Sequence, residues 1–314
     1  MRDAFAKELE ALAQDDLRVV LLSGDIGNRM YDSFKGKFPD RFYNCGVAEA
    51  NMTGVAAGMA LSGLRPFTYT ITTFNTQRCF EQIRLDVCYH GAPVTIVGVG
   101  GGLSYASLGP THHSCEDIAL LRVMPDMTVI CPADPMEVRA AVRIALAHDG
   151  PVYIRLGKKG EPNLHKNIPE FKIGKAIEMR QGTDVCLFGV GTMLGNVLDA
   201  AEILSARGVS AQVYSFPFVK PLDDVVLRAA FKTFPLVATV EEHSLIGGAG
   251  SAVAEWLVDA HIHHGQLLRM GVPDAFMHKA GSQNYTRKTL GLDPDAIADR
   301  VQAGLIQQSK EKET

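Results

Sequence analysis

Short apolar runs bounded by Gly, Pro, Asp or Ser alternate along the chain with longer stretches in which apolar residues recur every three or four positions. The runs LRVVLLSGD (17–25), RPFTYTI (65–71), PVTIVGVG (93–100), MTVICPAD (127–134) and PVYIRLG (151–157) predict strands. The stretches near 49–62, 75–90, 115–122 and 134–148 predict helices. Strands rich in Val and Ile on both faces need cover on both sides, and intervening helices supply it for a parallel sheet. Gly, Pro and Lys then break the pattern in GKKGEPNLHKNIPEFKIGKAIEMRQG (157–182), which reads as a linker with one short hairpin. Alternation resumes with strands at 184–191, 209–216, 236–242 and 266–272, and with helices up to 208, near 222–233 and after GGAGSA. The expected fold class is α/β with two domains, 1–157 and 183–314, each a mostly parallel sheet flanked by helices and joined by 158–182.

Composition adds exclusions. The chain is 46% hydrophobic and 21% charged with net charge −4, and it has no basic block to recruit nucleic acid or an anionic membrane. No apolar run is long enough to span a bilayer, and MRDAFAKELEALAQDD reads as an amphipathic helix rather than a signal peptide. Six cysteines scattered without C-x-x-C spacing suggest reduced thiols, no zinc framework and a cytoplasmic setting. The charged tail QQSKEKET reads as frayed.

In parallel sheets, sites gather at the carboxyl ends of strands. Glu49 in FYNCGVAEANMTGVAAGMAL stands among small apolar residues, either as a helix-start residue or as a buried carboxylate with a partner. The loop GVGGGLSYASLGPTHHSCED (98–117) is long and Gly-rich and delivers His112 and His113. Its glycines lack the G-x-G-x-x-G spacing of a dinucleotide site, and the two histidines are either structural or functional. Arg155, at the end of its strand, is either an anion clamp or a surface ion-pair partner. In TVEEHSLIGGAGSAVAEW (239–256) the glycines suit tight packing or a subunit contact better than anion binding.

Together these segments resemble the C-terminal half of transketolase, its pyrimidine-binding (Pyr) domain followed by its C-terminal domain. The resemblance covers nearly the whole chain and rests on GVAEANMTGVAAGMAL, TTFNTQRCFEQIRLDV, GPTHHSCEDIALLRVMPDMTVICPADPMEV and TVEEHSLIGGAGSAV in that order. It implies a thiamine-diphosphate enzyme that moves a two-carbon ketol unit from a ketose to an aldose, with the cofactor carrying the hard step. It implies that Glu49 hydrogen-bonds the cofactor's aminopyrimidine and favours the tautomer that accepts the C2 proton. Phe74 would pack on that ring with Phe80 as a second wall, a core role for Phe80 staying open. Arg78 would support the glutamate or the pocket rim, and Asp25 would lie near the cofactor and a subunit contact. His112 would stand over the reacting carbons with His113 beside it, and Arg155 would bind the phosphate of a sugar substrate.

The sequence carries no G-D-G motif followed by Asn, through which the family holds the diphosphate and Mg²⁺. The resemblance therefore implies a separate N-terminal partner subunit that supplies those contacts, in an α2β2 assembly. Two departures bear on the substrate: Leu108 stands where the family has Asp, and Gly100–Gly102 where it has His or Arg. They suggest a non-standard ketose or acceptor with a different anionic group, for which Arg29 is a candidate anchor. The alternatives are the β subunit of a 2-oxo acid dehydrogenase E1 component, a deoxyxylulose-phosphate-synthase-like enzyme, and a regulatory subunit without catalysis.

Overall fold

The computed structural model describes residues 1–27 and 29–313, with side chains through residue 308. The first half runs α1 (Arg2–Asp15), β1 (Val19–Ser23), α2 (Asp32–Lys37), β2 (Phe42–Asn44), α3 (Glu49–Leu61), β3 (Arg65–Ile71), α4 (Thr72–Thr76) and α5 (Phe80–Gln82). It continues with β4 (Thr95–Val99), α6 (Asp117–Arg122), β5 (Thr128–Ile130), α7 (Pro135–Ala147) and β6 (Val152–Leu156). The second half runs β7 (Ile177–Arg180), β8 (Val185–Gly189), α8 (Leu194–Ala206), β9 (Ala211–Ser215), β10 (Phe218–Lys220) and α9 (Asp224–Thr233). Then follow β11 (Leu236–Ser244), α10 (Ala249–Asp259), β12 (Gln266–Val272), α11 (Gln283–Thr289) and α12 (Pro294–Glu313).

Two sheets result, and both are mostly parallel. The first has the order β10-β5-β6-β4-β3-β1-β2, with only β10 antiparallel; the second has the order β12-β11-β8-β9-β7, with only β7 antiparallel. Strands β1, β3, β4 and β6 are buried along nearly their whole length, as their apolar runs demand. α1 buries Phe5, Leu9 and Ala13 at four-residue spacing. Each fully buried Phe or Leu contributes about 1.5–3 kcal/mol. Glu8 on the same face accepts from Arg139 at 2.9 Å and Arg143 at 2.6 Å, which fastens α1 to α7.

Several local expectations change. The helix expected over 75–90 starts at Thr72 and breaks, and a π-helical turn then covers Ile83–Tyr89. Such turns often accompany functional sites. The linker forms no hairpin with itself: β7 pairs antiparallel with β9 and so belongs to the second sheet. The second half also lends β10 to the edge of the first sheet. The tail expected to fray is helical, since α12 extends to Glu313.

Candidate active site

Because β1 to β6 are parallel, the loops that follow β1, β2, β3, β4 and β6 all leave from one edge of the sheet. α3 starts at this edge with Glu49, which is only 3% exposed. An isolated buried carboxylate is costly, and Arg78 answers it: Nη1 donates to Glu49 Oε2 at 2.7 Å. Among the described residues, Oε1 accepts no hydrogen bond. It lies near Gly24, where a Cβ would come within 3.6 Å of it and 2.7 Å of Thr70 Oγ1. The contact with Thr70 is what calls for a glycine at the end of β1, while 3.6 Å from Oε1 is ordinary van der Waals contact.

From Glu49 a row of flat groups crosses the edge. The Arg78 guanidinium lies 4.6 Å from the centre of the Phe74 ring, and Phe74 meets His112 edge-on at 5.4 Å. His112 in turn meets Tyr105 at 6.2 Å, and Lys158 Nζ stands 5.0 Å from the Tyr105 ring centre. Thr111 Oγ1 lies 2.9 Å from His112 Nδ1, and the Thr73 hydroxyl donates to Thr111 O at 3.4 Å, which ties the histidine loop to α4. Burial raises the Tyr105 phenol above its ordinary range, while neighbouring Arg2 pulls the other way. Arg2 Nε is itself buried and without a hydrogen-bond partner. Arg2 and Lys158 are thus both cationic neighbours of the Tyr105 ring that meets His112. None of the three was singled out from sequence. The available signal was the KK pair directly after the β6 strand.

The remaining expected residues lie elsewhere. Phe80 packs against the core cluster around Met52, Cys79 and Ile83, the core role left open for it. His113 is buried and its Nε2 lies 3.3 Å from Ala106 O, a contact that braces the loop. Asp25 is exposed on the loop after β1, where Asn44 reaches its Oδ1 at 3.5 Å. Arg29 is exposed in the turn Arg29–Tyr31.

Arg155 lies in the interior. Its side chain is 5% exposed and donates to Asp117 Oδ2 (2.7 Å), Asp117 Oδ1 (3.2 Å), Ser114 O (2.9 Å) and Glu242 O (3.0 Å). Burial is the largest single influence on the Asp117 carboxyl and would raise it, but the charges of Arg155 and His243 together with hydrogen bonds from Arg155 and Tyr153 hold it below its ordinary value. Through Nε and Nη2, Arg155 therefore clamps the two halves of the chain together. The glycines of the loop answer to the same packing. A Cβ at Gly100 would overlap the Tyr105 ring, one at Gly101 would lie 2.7 Å from Arg155 Cγ, and one at Gly102 2.5 Å from Glu242 O. In the second domain, Glu241 accepts from Ala249 N (2.7 Å) and Gly250 N (2.8 Å), so a carboxylate of the chain itself fills the N-terminus of α10. That is the packing role expected for GGAGSA.

These residues fit one side of a thiamine diphosphate. A buried carboxylate with an unused Oε1 beside an aromatic face suits the edge and face of an aminopyrimidine. Among the described residues no cluster of three His, Cys, Asp or Glu side chains could hold a metal ion. No helix among them is long and apolar enough to cross a membrane, and all six cysteines are free thiols.

Residues 1–162 match the transketolase pyrimidine-binding domain family and residues 174–297 the transketolase C-terminal domain family. The chain is 41% identical to the 6-deoxy-6-sulfo-D-fructose transketolase subunit SqwH of Clostridium sp. (strain MSTE9), over 95% of this chain and 92% of that one. It is 37% identical to one of the subunits of the apulose-4-phosphate transketolase of Actinobacillus succinogenes, over 85% of each. A solved split-gene transketolase, described as an inactive beta4 tetramer, superposes with a TM-score of 0.89 at 36% identity, covering 97% of this chain and 98% of that one. The order of the two domains, the strand-end site and these likenesses agree: the chain belongs to the transketolase family, as a transferase subunit composed of a Pyr domain and a transketolase C-terminal domain.

Proposed function

We propose that this subunit provides the pyrimidine side of a thiamine-diphosphate active site that moves a two-carbon ketol unit from an anionic ketose to an aldose. The observation that carries the reading is the buried Glu49 carboxylate, with Oε1 unused, facing the same edge as Phe74 and His112. When bound, the cofactor supplies carbanion chemistry at its thiazolium carbon. Glu49 holds the proton at the distal ring nitrogen of the aminopyrimidine, and Phe74 packs on the ring. His112 hydrogen-bonds the sugar hydroxyls and moves protons at the oxygens of the reacting carbons. The anionic end of the sugar, phosphate or sulfonate, lies at the corner made by Arg2, Tyr105 and Lys158, with Arg29 available at its rim. Relatives named for a sulfonated ketose and for a phosphorylated one support this shared chemistry.

A partner chain supplies the diphosphate and Mg²⁺ contacts, in an α2β2 assembly. The beta4 form of the similar split-gene transketolase is described as inactive, which supports a need for that partner. The test is reconstitution with a subunit that carries the G-D-G motif, assayed with a sulfonated, a phosphorylated and an uncharged ketose. One of the two anionic ketoses should exceed the uncharged one in kcat/KM by at least about tenfold, a difference of about 1.4 kcal/mol. In the reconstituted enzyme, Glu49→Ala should lower kcat by about three orders of magnitude. Equal turnover of all three ketoses, or a Glu49→Ala enzyme near wild-type rate, overturns the reading.

A further inference from the structure

The loop that carries His112 is pinched at its neck: Gly102 N donates to Ser114 O at 2.8 Å and Ser114 N to Gly102 O at 2.9 Å. Both sides of this neck are held by the second domain. Glu242, on β11 and 1% exposed, accepts from Leu103 N at 2.5 Å, directly beside Gly102. Its main-chain carbonyl shares the Arg155 guanidinium with Ser114 O, and Ser244 N donates to Cys115 O at 2.7 Å. The Glu242 carboxylate is fixed in turn by α11. Arg287 Nε donates to Oε2 at 2.6 Å, and Gln283 Nε2 reaches both oxygens at 2.9 and 3.0 Å. α11 also packs on the turn Ala106–Leu108 of the same loop.

A buried carboxylate with this many donors is an expensive way to stabilise a domain contact, since an apolar contact of the same volume serves as well or better. It is an effective way to fix the register of one main-chain amide. We propose that Glu242 is a positioning residue for the transfer reaction: through Leu103 N it sets the neck of the loop, and so the place of Tyr105 and His112 relative to Phe74. On this inference, holding the histidine loop of the first domain is a task of the second domain. The inference rests on the assignment of His112 to the substrate side of the site.

The test uses the full complex with its partner subunit and two variants. Glu242→Gln keeps the size of the side chain and removes its charge. Gly102→Ala attacks the same contact from the loop side, because its φ of +63° and the nearby Glu242 carbonyl, Cγ and Oε1 all oppose a Cβ. Amide hydrogen exchange in 103–113 should quicken by about tenfold or more in each variant, while exchange in 49–61 stays unchanged. The KM for the ketose should rise by about tenfold or more, with thiamine diphosphate affinity, measured by calorimetry, within about twofold of wild type. Unchanged exchange in 103–113 overturns the proposal. So does parallel loss of protection in 49–61 together with cofactor affinity, which marks Glu242 as merely structural. The exchange measurement does not depend on turnover, so a complex without transketolase activity refutes the proposed function and leaves the positioning role still decidable.

Discussion

Glu137, at the start of α7, is fully buried and yet accepts from Ala133 N at 2.8 Å and from the Ser215 hydroxyl at 2.6 Å. His165 from the linker stands with Nε2 3.7 Å from Oε1, and Asp134, which caps the helix, is the neighbouring carboxylate. Burial dominates: it lifts the Glu137 carboxyl from an ordinary 4.5 to about 7, although the hydrogen bonds and His165 oppose it. A carboxyl whose folded pKa exceeds its unfolded one contributes stability fully below pH 4.5, and loses it as pH rises through 7. At about 1.36 kcal/mol per pH unit, the span from 4.5 to 7 amounts to about 3 kcal/mol by pH 8. Glu137→Gln removes this dependence and sacrifices one acceptor, a loss of about 1 kcal/mol. The expected outcome is a variant more stable than wild type by about 2 kcal/mol at pH 8, and slightly less stable at pH 5. Urea unfolding at pH 5, 6, 7 and 8 measures the difference directly, with the His165 titration followed in both chains because Glu137 is one of the charges that raise it. A stability difference that is the same at pH 5 and pH 8 would refute the reasoning.

Two further substitutions separate the interior clamp from the anion corner. Arg155→Met leaves Asp117 buried without its charge partner, and the expected loss of about 3–5 kcal/mol should appear as a lower thermal midpoint; unchanged stability with a raised KM would return Arg155 to the role of substrate anchor. Lys158→Ala, alone and with Arg2→Ala, should raise KM for anionic ketoses by about ten- to a hundredfold, leaving kcat/KM for an uncharged ketose and the thermal midpoint near wild type. A uniform loss across charged and uncharged ketoses would show that the corner shapes the site without binding the anion.

How far the sequence could be read depends on where each residue's partner lies. Strands β1, β3, β4, β5 and β6 and the burial of Glu49 were legible because their signals are local, apolar runs and one carboxylate among small residues, whereas the three residues of β2 are too short a run to register. The setting of Arg155 was not legible because a basic residue near a strand end looks the same whether it faces a cleft or a domain seam. Its deciding partner, Glu242 O, lies 87 residues away. β10 was missed for a related reason, as three residues of the second half complete a sheet begun in the first. The glycines at 100–102 carry the most consequential lesson. As letters they record side chains that are missing from a substrate-binding loop. In the fold they record what occupies that space: the Tyr105 ring over Gly100, the Arg155 stem against Gly101 and the Glu242 carbonyl against Gly102. Tyr105 in turn has Arg2 and Lys158 as cationic neighbours and meets His112. On the proposed function, the departure from the family pattern is a relocated cationic corner and not a lost one, which is what a ketose with its charge in a different place or on a different group would require.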